Sequence, residues 1–184
     1  MSTTAVRIPP LDPKEFTPEQ AKLVGDWKNL IFSQVLVRHP GMYGTFVPFL
    51  AEVIARTSLP PRDRQIVCLY MLQLCDETYE KTHHITISRR SGLTDEDISA
   101  VLAGQGERLS ASDRTVMKAT RELFKDQCIS EATWSELAKR YSQQQLMEIV
   151  FLGGCYQTMA MLTKSFGMQL EPDLESFNAL RKYA

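Results

Sequence analysis

The stretch Pro61-Arg62-Asp63-Arg64-Gln65-Ile66-Val67-Cys68-Leu69-Tyr70-Met71-Leu72-Gln73-Leu74 decides the fold. Its second half is nearly continuously apolar and too long for a single typical strand. It therefore reads as a helix buried on most of its surface. Leu59-Pro60-Pro61 breaks the chain ahead of it and launches it.

Working outward, the helical signals continue on both sides. Thr17-Pro18-Glu19-Gln20 has a capping threonine, a proline suited to the first helical position and a glutamine placed to close the capping box. The helix it opens is predicted to run to about Val37, where His39-Pro40-Gly41 ends it. A second helix covers about Tyr43–Arg56, kinked by Pro48 or starting there. Downstream of the buried helix, Asp76 is placed to cap a helix from Glu77 to about Arg90. Its early Glu77 and Glu80 suit the positive end of the helix dipole. Thr94-Asp95-Glu96-Asp97, Ser110–Asp113, Ser130–Thr133 and Ser142–Gln145 open four more helices. The last of these runs to about Phe166, with Gly153-Gly154 inside it marking close packing or a kink. A final amphipathic helix is expected at about 173–182. No stretch alternates like a half-buried strand, so the fold class is all-α. Residues 1–16 form an extended Pro-rich arm, and residues 17–184 one helical domain.

The chain's 184 residues suit one domain. With 43% hydrophobic and 23% charged residues it has a globular composition. Its 21 Lys+Arg against 22 Asp+Glu argue against general affinity for nucleic acid or anionic membrane. No apolar run approaches the roughly 20 residues needed to span a bilayer, and the N-terminus has no signal-peptide pattern, so the expected location is cytoplasmic. Cys68, Cys75, Cys128 and Cys155 include no pair three apart. That excludes a CxxC redox pair and a zinc knuckle, and leaves free thiols as the expected state.

The chemistry concentrates in Cys75-Asp76-Glu77-Thr78-Tyr79-Glu80-Lys81-Thr82-His83-His84. On a helix Glu80 and His84 are one turn apart and share a face with Glu77, whereas His83 points about a hundred degrees away, toward Tyr79. A carboxylate one turn from an imidazole can orient the ring and serve general acid–base chemistry. The same spacing offers metal ligands, but the Glu-x-x-His element of di-iron bundles occurs only once here, so no metal is expected. The two histidines can equally be solvated or structural.

The run Leu59–Val67, then Cys75–His84, then Arg89-Arg90-Ser91-Gly92-Leu93-Thr94-Asp95-Glu96-Asp97-Ile98 resembles the carboxymuconolactone decarboxylase family, within the alkyl hydroperoxidase D-like superfamily. Gln145–Phe151 and Phe166–Leu170 extend the resemblance over nearly the whole chain. It implies a multi-helix homo-oligomer, a trimer or hexamer, with its active site beside the helix starting near Glu77. Two activities are implied. One is cofactor-free decarboxylation of a carboxy-lactone from aromatic catabolism. The other is peroxide reduction by a CxxC pair with a helper Glu and a His four residues after the second Cys. Aligning that His with His84 puts the cysteine positions at Glu77 and Glu80 and the helper at Gln65. Aligning it with His83 gives Asp76 and Tyr79. Neither register keeps a thiol pair, which dithiol peroxidase chemistry requires.

The expected function is therefore a cofactor-independent lyase or isomerase acting on a small cyclic or aromatic-derived carboxylate. His84 is expected as proton donor, Glu80 as its orienter, and His83 or Tyr79 as a hydrogen-bond donor. Arg62 or Arg64 would receive the substrate carboxylate unless tied up in structural ion pairs. Tyr156 would line the pocket unless it is simply a core tyrosine. Two alternatives remain: a peroxidase or redox sensor using Cys75 alone, and a non-catalytic oligomeric module.

Overall fold

A computed structural model describes residues 5–172. The expected helix at 173–182 lies outside the described residues. Among those described there is no strand, and the all-α reading holds. The helices are α1 (Pro18–Val24), α2 (Ile31–Leu36), α3 (Pro40–Ala55), α4 (Pro61–Leu74), α5 (Tyr79–Arg90), α6 (Asp95–Ala103), α7 (Ala111–Asp126), α8 (Glu131–Ala138) and α9 (Gln143–Phe166).

Helix α4 is the axis of the molecule. Every residue from Asp63 to Leu72 is buried, and α5, α6, α7 and α9 all pack around it. The continuous apolar run has no solvent face because it needs none. Gly153 explains how α9 comes so close: a Cβ there would sit 3.0 Å from Leu123 and 3.5 Å from Met71. Helix α9 continues unbroken through both glycines, so the pair marks close packing rather than a kink. By length and composition α9 is also apolar enough to cross a membrane. This corrects the expectation that no run is long enough, although half of that stretch is buried inside the fold.

The caps read from sequence form as expected. Thr17 with Gln20, Thr94 with Asp97, Ser110 with Asp113 and Ser142 with Gln145 each close a reciprocal capping box. Each satisfies two backbone amides that the helix leaves without partners.

Three expectations need correction. The long first helix is two short helices joined by a 3-10 turn at Gly25–Asn29, because Gly25 turns at φ 55° and Leu30 is extended. Helix α3 begins at Pro40 with His39 as its cap, Nδ1 accepting from the Met42 amide at 3.2 Å. Pro48 thus sits inside that helix and does not start it. Asp76 does not cap α5; it takes a left-handed turn at φ 49° and the helix starts at Tyr79.

The Pro-rich arm lies against the helices. The Arg7 and Ile8 amides donate to Phe166 O at 2.9 and 3.1 Å, and the Leu11 amide to Gln34 O at 3.1 Å.

Candidate active site

The link from α4 to α5 sets the site. Cys75 ends α4 and Asp76 reverses the chain, which carries Glu77 into the interior at 1% exposure. Its carboxylate accepts from the Tyr79 amide at 2.8 Å, the Lys81 amide at 3.1 Å and the Thr163 hydroxyl at 2.8 Å. A carboxylate on the first amides of α5 meets the positive end of that helix. Glu77 is thus the structural cap, and the shared face expected of it goes to Glu80 and His84 alone.

Those two line one cavity of about 150 Å³. Its walls are mostly apolar and include Trp27, Leu50, Ile54, Ile87 and Met159. A dry cavity of this volume holds about one six-membered ring. The polar groups that face it are Ser33, Tyr43, Tyr79, Glu80, His83, His84 and Tyr156.

Glu80 is buried at 8% exposure, and none of the described residues hydrogen-bonds its carboxyl. Burial pushes its pKa well above the carboxylate range, and the charges of Glu77 and Glu171 push it further. Both effects bias it toward the protonated form, facing an apolar cavity.

His84 is held from both sides, but not by Glu80. Its Nδ1–H donates to Gln65 Oε1 at 2.7 Å, and its Nε2 accepts from the Tyr156 hydroxyl at 2.7 Å. The expectation that Glu80 orients this ring is corrected: α4 and α9 supply both partners. Burial, then the neighbouring His83, then Arg64 lower its pKa to about 3. His84 is neutral at physiological pH and has no spare proton to donate.

His83 points the other way, as the helical spacing predicted. Its ring stands edge-on to Tyr79 with centroids 4.6 Å apart. Its Nε2–H donates to Glu171 at 2.8 Å. Glu171 also accepts from the Tyr79 hydroxyl at 2.5 Å and the Ile31 amide at 2.9 Å. Burial raises the Glu171 pKa, but the bonds from His83 and Tyr79 outweigh it and leave the carboxyl below its ordinary value.

The other expected residues divide. Tyr156 lines the cavity. Arg62 does not: it bridges Asp97 at 2.9 Å and Asp113 at 3.0 Å, and reaches Gly92 O. It fastens α4 to α6 and α7. Arg64 is buried at 6% exposure one layer behind the cavity wall, and its Nη1 donates to Ile54 O at 2.6 Å. Its Nε has no hydrogen-bond partner among the described residues. Cys75 lies outside the cavity, at the C-terminal end of α4 and not at a helix start. That end of a helix disfavours a thiolate, and burial raises the thiol pKa. Cys68 and Cys155 are buried, with thiol pKa values raised mainly by burial, that of Cys155 to about 12.

Sequence reasoning missed Ser33, Tyr43 and Glu171. Ser33 and Tyr43 share one hydrogen bond at 3.1 Å. Only one hydroxyl donates in that bond, so the other keeps a proton for a ligand. No group of three or more His, Cys, Asp or Glu among the described residues is arranged to hold a metal.

Residues 40–122, which span α3 to the middle of α7 and include Glu80 and His84, match the carboxymuconolactone decarboxylase family. That match covers less than half of the chain and is a likeness to the family over the part that carries Glu80 and His84. Its fold recurs in the crystal structure of an Agrobacterium tumefaciens protein of unknown function, suggested to be the antioxidant defence protein AhpD. The two share a TM-score of 0.68 at 14% identity, over 75% of this chain and 96% of that one. No curated protein matches the chain.

Proposed function

We propose that this protein is a cofactor-independent lyase or isomerase that works by acid–base chemistry on a ring-sized carboxylate. The observation that carries the reading is Glu80: a buried carboxyl facing an apolar cavity, without a hydrogen-bond partner among the described residues and with its pKa pushed up by burial. In a decarboxylation the bond to the carboxyl carbon breaks and carbon dioxide leaves. The bonding electrons pass into the ring and onto its carbonyl oxygen as an enolate. The apolar wall favours the charge-dispersed state over the compact carboxylate. The Ser33–Tyr43 pair donates its free hydroxyl proton to the enolate oxygen. Glu80 delivers its proton to carbon and is reprotonated from water as product leaves. Neutral His84, braced by Gln65, holds the Tyr156 hydroxyl in place.

Glu77 and Glu80 occupy the positions where the resemblance puts the peroxidase cysteines, and His84 bonds the residue at the helper position. That favours acid–base over dithiol chemistry. Exposed Met147, Val150, Phe151 and Met161 on α9, 39 to 57% accessible, support assembly into a homo-oligomer. Light scattering of the purified protein tests that part.

The activity test is carbon dioxide release and ring rearrangement across a panel of carboxy-lactones, with Glu80→Gln and His84→Ala alongside wild type. Glu80→Gln should lower kcat at least 100-fold, the ordinary scale for a general acid. Unchanged turnover in both variants overturns the assignment.

A further inference from the structure

We infer that a second pocket, between the turn after α6 and one face of α7, binds a phosphate group, either as inorganic phosphate or carried on a small molecule. It shares no residue with the cavity around Glu80 and does not rest on the acid–base reading. Its volume is about 280 Å³, and Gly104, Gly106, Arg114, Met117, Lys118 and Arg121 line it.

The turn and the helix build the pocket together. Helix α6 ends at Gly104, whose left-handed φ of 68° starts the turn toward α7. Side chains on this turn would crowd the cations opposite. A Cβ on Gly104 would stand 3.5 Å from Arg121 Nη2, and one on Gly106 would stand 3.1 Å from Arg114 Cγ. Arg114, Lys118 and Arg121 follow one another at four and three residues, which puts them on one face of α7.

Both arginines are fixed by neutral oxygens. Arg121 donates to the Tyr70 hydroxyl from Nε, at 2.7 Å, and from Nη2. Its guanidinium carbon lies 5.5 Å from the centre of the same ring, and Tyr70 belongs to the buried core. Arg114 donates from Nη1 to Leu109 O at 2.7 Å. These bonds occupy part of each guanidinium's donor set and neutralise none of its charge. Neither arginine forms an ion pair among the described residues. Lys118 has one loose partner, Glu122 at 3.8 Å, and the Ser130 and Thr133 hydroxyls and the Ser130 amide already bond that carboxylate. Glu107 is the single carboxylate on the lining. Three cations therefore face one lining carboxylate. In a chain with 21 Lys+Arg against 22 Asp+Glu, that surplus is local to the pocket.

A tetrahedral dianion suits this donor set. Two anchored guanidinium forks and an ammonium can bond several of its oxygens at once, and arginine is the side chain whose fork matches phosphate. A carboxylate, with two oxygens and one charge, meets fewer of these donors.

Titration calorimetry of the purified full chain with inorganic phosphate and with glycerol 3-phosphate, at an ionic strength fixed by sodium chloride, tests the site. Saturable binding of both with equal affinity assigns it to free phosphate, and tighter binding of the ester assigns it to a phosphorylated small molecule. Lys118→Gln and Arg121→Lys should each weaken binding about fivefold or more, the first by removing a charge and the second by removing a fork. Glu107→Gln should tighten it about threefold. Lys22→Gln, on α1, should leave it unchanged. Lys22, Glu107 and Lys118 are exposed, so their variants fold as wild type does. No saturable binding of either anion, unchanged binding in both Lys118→Gln and Arg121→Lys, or an equal loss in Lys22→Gln overturns the inference.

Discussion

The two sides of α4 use acidic residues in opposite ways. On one side Asp97 and Asp113 take Arg62 between them, and Asp63 takes Arg140 at 2.9 Å and the Tyr141 hydroxyl at 2.7 Å. On the other side Glu80 stands in an apolar wall that no Lys or Arg lines, and burial pushes its pKa well above the carboxylate range. Both sides are interior or nearly so, so burial does not distinguish them. What distinguishes them is whether a partner came with the carboxyl. Paired, it fastens helices together. Unpaired, it keeps a proton that the fold holds in place but does not use.

The largest test of this contrast is on the paired side. Asp113→Asn should cost about 1.5–3 kcal/mol, because it removes the charged hydrogen bonds between Asp113 and Arg62 while Asp97 still neutralises the arginine. It also weakens the cap of α7, since Asp113 accepts from the Ser110 amide. Denaturant unfolding measures the loss, and the folded fraction should keep its activity. A loss below about 1 kcal/mol would mean that the ion pairs are incidental.

On the unpaired side the expected effect is smaller and opposite in sign. Glu80 holds a proton in the folded state that the unfolded chain releases near the ordinary carboxylate range. Stability therefore falls as pH rises from that range toward the raised pKa. Glu80→Gln should remove this decline and raise the Tm at pH 8 while abolishing turnover. His84 gives the complementary acid limb. Its folded pKa is depressed to about 3 against about 6.5 unfolded, so the stability it contributes above pH 6.5 is lost as pH falls from there toward 3. A Tm–pH profile of wild type, Glu80→Gln and His84→Gln separates the two limbs. A Glu80→Gln profile parallel to wild type above pH 6 would contradict the protonated acid.

The smallest effect belongs to the exposed pair Arg89–Asp95, 2.7 Å apart but with both side chains more than half exposed. Arg89→Ala should change stability by no more than about 0.5 kcal/mol. A larger loss would mean that pairing matters independently of burial.

What was legible in the sequence follows from how far apart the partners lie. The partners in the four capping boxes lie three positions apart, and all four boxes are legible in the sequence. Glu80 and His84 share a cavity because they are one turn apart on one helix, and that too was legible. The partners that fix their roles were not. His84 bonds Gln65 and Tyr156, 19 and 72 residues away, and His83 bonds Glu171, 88 residues away. Gln65 was placed near His84 only through the family resemblance. Arg62 and Arg64 sit two positions apart on the first turn of α4, yet one enters a salt-bridge network and the other the interior. Nothing local separates them. The break at Leu30 likewise depends on distant residues, since the Ile31 amide that follows it is satisfied by Glu171.

Gly167 closes α9 with φ 70°, and a side chain there would collide with the backbone of Ala5 and Val6. Ala5 and Val6 thus rest on the turn that leads to Glu171, which His83 bonds. Whatever is attached to the N-terminus, an affinity tag or a fusion partner, acts on a lever whose other end is the cavity wall. A tag at that end is therefore not neutral for assays of this site, and a label placed near Ala5 would sense a ligand that it never touches.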